Sequence, residues 1–344
     1  MLALCVQHTV PAARTRAPEL LILPVKLGVF AVLFGDRTFE EALDQVQRLG
    51  LQAVEIGTGC WPGDAHCKPD ELLASAAKLR AFRDAIESRG LIISALSCHG
   101  NPLHPRQEIA EHDHAVFAAT VRLAAHLGVS TVITFSGCPG GSAHAREPNW
   151  ITSPWPPEFS EMLEWQWTER VQPYWEDAAR IARSAQVRIA IEMHPNFVCY
   201  NPETMLRLRA LAPDVIGCNF DPSHMFWQGI DPVSAIRALG QGIYHCHAKD
   251  CRIDARNTSV NGVLDTRKYT RELERSWIFR TVGWGNNALV WKDIVSQLRL
   301  VGYDHVLSIE HEDSLMSADE GLRKAIAFLQ DIVIDKPAGT SYWA

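Results

Sequence analysis

The stretch "RIAIEMHPNF", residues 188–197, carries a short apolar run, Ile189-Ala190-Ile191, that stops abruptly at Glu192, with His194 and Pro195 just behind it. A run of this length, apolar and bounded by a proline, reads as a buried strand. The same form recurs downstream. "IGCNFD" closes in Asp221, "GIYHCHAK" carries His245 and His247, and "HVLSIE" closes in Glu310. Period-two alternation puts Ala190 with Glu192, Asn219 with Asp221, His245 with His247 and Ser308 with Glu310, each pair on one strand face.

Working outward, each of these strands is followed by an amphipathic segment, and four more such units precede them. "KLGVFAVLF" leads to "TFEEALDQVQRLG", "QAVEIG" to "ELLASAAKLRAFRDAIESRG", "LIISALS" to "EHDHAVFAATVRLAAHLG", and "STVITFS" to "RVQPYWEDAARIARSAQ". Glycines close many of the helices, at Gly50, Gly90, Gly128, Gly240 and Gly302, where a C-cap favours them. Eight strand–helix units predict an α/β fold of the single-domain (β/α)₈ barrel type over residues 25–336. A doubly wound sheet is the rival, but no GxGxxG opens the first helix. Two connections, from Gly137 to about Pro157 and from Asp250 to about Asn287, are too long for plain barrel loops. Both follow strands, the fourth and the seventh, and so belong to the C-terminal face, where barrel active sites sit. Residues 1–24 read as an N-terminal extension without the sustained apolar core of a secretory signal, and residues 337–344 as a tail.

Composition excludes several classes. The net charge of −7 argues against non-specific nucleic-acid binding. No apolar run approaches the ~18 residues of a membrane span. Nine cysteines without a regular framework read as reduced thiols of a cytoplasmic enzyme.

The four polar strand ends meet in one barrel mouth. Three carboxylates converging there repel one another, and a divalent cation relieves the repulsion. A donor set of three carboxylates and one imidazole favours Mn²⁺, Mg²⁺ or Co²⁺ over a thiolate-rich zinc site.

"IEMHP", "NFDPSH", "HCHAKD" and "SIEHED" together resemble the sugar isomerase/epimerase family of xylose-isomerase-like TIM barrels, the D-tagatose 3-epimerase-like group, over roughly residues 25–335. The resemblance implies that Glu192, Asp221, His247 and Glu310 hold one divalent metal, usually manganese. It implies that His224, three residues after the Asp, contacts substrate. Arg252 is the nearest arginine after the ligand histidine, one residue short of the epimerase spacing. It further implies that Glu192 and Glu310 act as base and acid on a keto-sugar, through an enediolate.

The residues themselves suggest further pocket groups: His99 and Asn101 after the third strand, Glu55 at the end of the second, Trp227 after "DPSH", Lys249 after the strand-seven histidines, and Arg280 in the second long loop. For each of these a purely structural role stays open. The expected partner is a small carbohydrate, with neither nucleic acid nor membrane. The exposed helices leave room for a homo-oligomer or a partner subunit. A lyase or dehydratase acting by β-elimination on a 3-keto-glycoside or an inosose is the main alternative. A three-zinc endonuclease is more remote, since residues 248–290 contain no Asp-x-His and the acidic chain suits a phosphate backbone poorly.

Overall fold

A computed structural model describes residues 24–337. The N-terminal extension and the C-terminal tail expected from the sequence fall, but for Pro24 and Pro337, outside the described residues.

Ten strands are present among them. They are β1 (Lys26–Phe30), β2 (Ala53–Gly57), β3 (Ile92–Ser97), β4 (Thr131–Phe135), β5 (Arg188–Glu192), β6 (Ile216–Phe220), β7 (Ile243–Ala248), β8 (Asp250–Ile253), β9 (Trp277–Arg280) and β10 (Val306–Ile309). Eight close into a parallel barrel in the order β1-β10-β7-β6-β5-β4-β3-β2, and β8 and β9 pair as a separate antiparallel ribbon. The expected (β/α)₈ barrel is the observed fold, and helices surround it.

Local chemistry sets the element boundaries. Thr38 and Glu41 form a reciprocal capping box that starts the helix Phe39–Arg48, satisfying two backbone donors that would otherwise be orphaned. The helix Gln107–Leu127 stops at Gly128, which takes the left-handed conformation with φ 72° that residues with a Cβ resist. Trp175 and Trp291, both fully buried, anchor the layer between helices and barrel. Burying each large apolar side chain contributes about 1.5–3 kcal/mol.

Two register shifts interrupt the barrel, between Val54 and Glu55 in the β2–β3 pair and between Cys218 and Asn219 in the β6–β7 pair. Such irregularities re-aim side chains near functional sites, and here they stand immediately before Glu55 and Asn219. The second long connection holds β8, the helix Ala255–Asn261 and β9. Asp250 pins its far end: its Oδ2 accepts from the backbone N–H groups of Gly283, Gly285 and Asn286 and from the Trp291 indole.

Candidate metal centre at the barrel mouth

Glu192 ends β5, Asp221 follows β6 and caps the short helix Pro222–Phe226, His247 sits on β7, and Glu310 follows β10. One donor atom from each lies within 4.8 Å of all the others. His247 Nδ1 is 3.2 Å from Glu192 Oε2 and 3.0 Å from Glu310 Oε2. Asp221 Oδ2 and Glu310 Oε2 are buried. Lys249 Nζ offers charge compensation, 3.1 Å from the first and 2.9 Å from the second. Three carboxylates converging with an imidazole nitrogen, balanced by one ammonium, form the mixed oxygen and nitrogen donor set that suits a divalent cation, so the residues present fit such an ion.

Beneath this cluster lies a second polar layer. Ser97 Oγ donates to Glu55 Oε1 at 2.6 Å and Ser308 Oγ to Oε2 at 2.7 Å, while His247 Nε2 lies 3.0 Å from both oxygens. A proton on Nε2 shared with Glu55 leaves the Nδ1 lone pair facing the cluster, the carboxylate–histidine arrangement that steadies metal-binding imidazoles. Burial opposes the charged form of Glu55, but His247, His245 and the Ser97 hydroxyl outweigh it and bring the carboxyl down to about 2. Burial likewise opposes a charged His247, yet Glu55, Glu192 and Glu310 hold it well above the usual imidazole range. A cation among the same carboxylates competes with that proton. Glu192 is held far below the ordinary carboxylate value, against burial, by the His247 charge and by hydrogen bonds from His224 and His247. Glu310 is lowered, also against burial, by Lys249 and His247.

Other side chains orient the two glutamates. His99 Nε2 is 3.0 Å from Glu192 Oε2, and Asn219 Nδ2 donates to the same oxygen at 2.8 Å. His224 Nε2 lies 3.5 Å from Glu192 Oε1 and 3.3 Å from Asp221 Oδ2. Lys249 also reaches Glu312 Oε2 at 3.1 Å and lies over the Phe279 ring. Phe30 stacks on His247, and Phe135 meets His99 edge-on.

Of the residues expected from the sequence, the structure thus gathers Glu192, Asp221, His247, Glu310, His224, His99, Lys249 and Glu55 at one place. Four others lie differently. Asn101 spends its side chain on the backbone of Cys138 and Leu103. Trp227 is buried and stacks on Trp277 within the β8–β9 layer. Arg280 pairs with Asp313, Nε to Oδ2 at 3.0 Å. Arg252 is exposed, donates to the Gly285 carbonyl, and lines a different cavity with Asp254, Arg256 and Glu272. For these, fixed contacts take up the groups that the pocket reading needed. Glu55 faces His247 rather than open space. Glu312 and Phe279, both against Lys249, carried no signal in the sequence beyond their place near the mouth.

The family model for the xylose isomerase-like TIM barrel matches residues 43–332. The chain belongs to that family. It is 38% identical over 312 residues, 90% of this chain and 99% of the relative, to the uncharacterized protein YfiH of Bacillus subtilis. Among solved structures it is similar to an IOLI protein with a binding zinc atom, at TM-score 0.62 and 18% identity, covering 90% of this chain and 98% of that one. It is also similar to the 3-keto-D-glucoside 4-epimerase YcjR of E. coli, at TM-score 0.61 and 12% identity, covering 89% and 99%. At these identities the two structures establish the shared fold. No helix among the described residues is long and apolar enough to cross a membrane.

Proposed function

We propose that this chain is a divalent-metal-dependent isomerase or epimerase of a keto-sugar or related polyol ketone, with Glu192 and Glu310 as its acid and base. The observation that carries this is the pair of glutamates reaching one His247 nitrogen, with Asp221 in the same cluster and a single ammonium, Lys249, to balance three carboxylates. Glu192, Asp221, His247 and Glu310 would hold the ion, manganese by preference, which supplies Lewis-acid polarisation of the substrate carbonyl.

The chain's own groups carry the proton. One glutamate removes it from the carbon beside the carbonyl, and the electron pair moves onto the carbonyl oxygen to give the enediolate. His224 and Lys249 are placed to hydrogen-bond substrate oxygens. His99 and Asn219 keep Glu192 in position, and Phe30 and Phe135 exclude water from its surroundings. Return of the proton to the opposite face of the same carbon gives an epimer. Return to the neighbouring carbon gives the isomer. β-Elimination from a 3-keto-glycoside or inosose begins with the same proton removal and then expels the oxygen substituent on the β-carbon, which needs a proton; the Lys249 ammonium, 2.9 Å from Glu310, is the feature that favours it as the donor.

Elemental analysis of the purified protein tests the metal, and deuterium uptake from D₂O into a panel of keto-sugars tests the proton transfer. About one Mn, Mg or Co per chain, with exchange abolished by chelator, is expected. A chain that takes up no metal on loading, or exchanges equally well without it, overturns the reading.

A further inference from the structure

Beside the carboxylate cluster, the loops after β2, β3, β4 and β5 line an open recess of about 510 Å³, whose walls include Cys60, Trp61, Ile109, Pro148, Asn196 and Phe197. That volume is within the ~300–1,000 Å³ usual for small-molecule sites. The cavity and the cluster share a wall. The Trp61 backbone N–H donates to the His99 carbonyl at 3.0 Å, and the His99 ring rests on Glu192. Phe197 stacks on Phe135 with centroids 4.3 Å apart, and Phe135 meets His99 at 4.7 Å.

The Trp61 side chain is 78% exposed. A single exposed aromatic residue is ordinary, but the backbone around this one is not. Cys60 (φ 55°) and Asn196 (φ 68°) are two of the three non-glycine residues with positive φ among the described residues, and both line this cavity. Such conformations cost free energy and persist only where the surroundings impose them.

Here the surroundings are a hydrogen-bonded rim. Cys60 Sγ donates to Asp113 Oδ1 at 3.5 Å, and the Asn101 N–H donates to Asp113 Oδ2 at 2.7 Å. The Asn101 side chain clamps both the N–H and the carbonyl of Cys138. The Val198 N–H then donates to the Gly137 carbonyl at 3.0 Å. A Cβ on Gly100 would stand 2.9 Å from both Asp113 and Cys60, so the floor is closely packed. Four loops are thereby tied into a preformed recess with largely apolar walls. Its polar floor groups Asn101 and Asp113 are already committed to one another and to the loops.

We propose that this recess binds the second ring of a glycoside substrate, stacked on the Trp61 indole, while the keto-sugar ring reaches the carboxylates; this rests on the function proposed above. A rigid, largely apolar recess with an indole at its edge suits the face of a flat ring, and a ring partner on an aromatic face adds affinity beyond its buried area.

The test compares methyl and phenyl β-D-glucopyranoside by calorimetry with the metal-loaded wild type, Trp61→Ala and Trp61→Phe. Trp61 is exposed, so the variants are expected to fold. The wild type is expected to bind the phenyl glycoside about tenfold more tightly than the methyl one. Trp61→Ala should erase that ratio, and Trp61→Phe should keep most of it. Equal affinities in the wild type, no binding of either glycoside, or a ratio that survives in Trp61→Ala overturns the proposal. Elemental analysis of the same samples reads the metal centre separately. A metal-free chain that still discriminates the two glycosides breaks the metal-dependent reading and leaves the recess standing.

Discussion

The two ends of the barrel interior are built on the same strands and are chemically opposite. At the lower end Ala95, Ile133, Ala190 and Tyr244 form a closed apolar cluster. The one polar group there is satisfied: Arg209 Nη1 donates to the Tyr244 hydroxyl at 2.8 Å, and the guanidinium of Arg188 lies 4.5 Å over the ring. At the upper end Glu192 stands two residues beyond Ala190, and His247 three beyond Tyr244, and three carboxylates, Glu192, Asp221 and Glu310, crowd around His247 and Lys249. An apolar cluster closed by a satisfied hydroxyl contributes stability. An end that crowds three carboxylates retains a free-energy cost that a cation can relieve. Substitutions at the two ends should therefore fail in different assays.

The largest expected effect is at the upper end. Glu310→Gln keeps the shape of the side chain and removes its charge. Deuterium exchange into the substrate should fall by about 10²–10⁴-fold, the usual worth of a positioned acid or base. The melting temperature of the metal-free protein should fall modestly, because Lys249 and His247, which hold Glu310 ionised, lose that charge, a loss partly offset by relief of the repulsion from Glu192. Glu192→Gln should lose exchange equally. Exchange retained in either variant would sink the two-carboxylate mechanism and, with it, the contrast between the ends.

Tyr244→Ala is the converse test. Its ring fills the lower barrel against Gly217, where a Cβ would come within 2.4 Å of Tyr244 Cε2. Truncation leaves a cavity and two arginines without their ring. A loss of about 3–5 kcal/mol is expected in urea unfolding, as for other buried aromatic residues. Metal affinity of the protein that remains folded should be unchanged. A large drop in metal affinity at equal folded fraction would mean that the two ends are coupled through the strands.

The sequence made the barrel and its upper end legible for one physical reason. A short apolar strand that stops at a carboxylate, as at Glu192, Asp221 and Glu310, breaks the hydrophobic pattern at a point that period two assigns to a face. Closure of the barrel then brings those points together. The loops offered no such rule. Arg280 is neutralised by Asp313, 33 positions away, and Asn101 is spent on Cys138, 37 away, pairings that only the folded chain creates. Arg252 reads as near the mouth because β7 ends there, but the connection turns into a ribbon and carries it to the exposed side. Glu55 is the instructive case. Alternation pointed it inward, as found, but its neighbour proved to be His247, delivered 192 positions later by β7.

Glu55 also decides whether the two ends are separate layers or parts of one device, since it lies between them and touches the upper one. Glu55→Gln preserves volume and can still hydrogen-bond Ser97 and Ser308. It removes the negative charge that accepts the His247 Nε2–H hydrogen bond, so the ring is held less firmly and the Nδ1 lone pair becomes a poorer metal ligand. Substitutions at such outer partners typically lower metal affinity about 10–100-fold. The cobalt-loaded protein offers a direct readout, with absorption titration giving Kd and circular dichroism giving the melting curve of the metal-free form. A weaker Kd with a comparable metal-free melting curve makes Glu55 a positioning residue of the upper end. Unchanged cobalt affinity with a lowered melting temperature would assign it to the lower end instead, as a structural carboxylate that binds Ser97, Ser308 and His247 only to hold the strands in register.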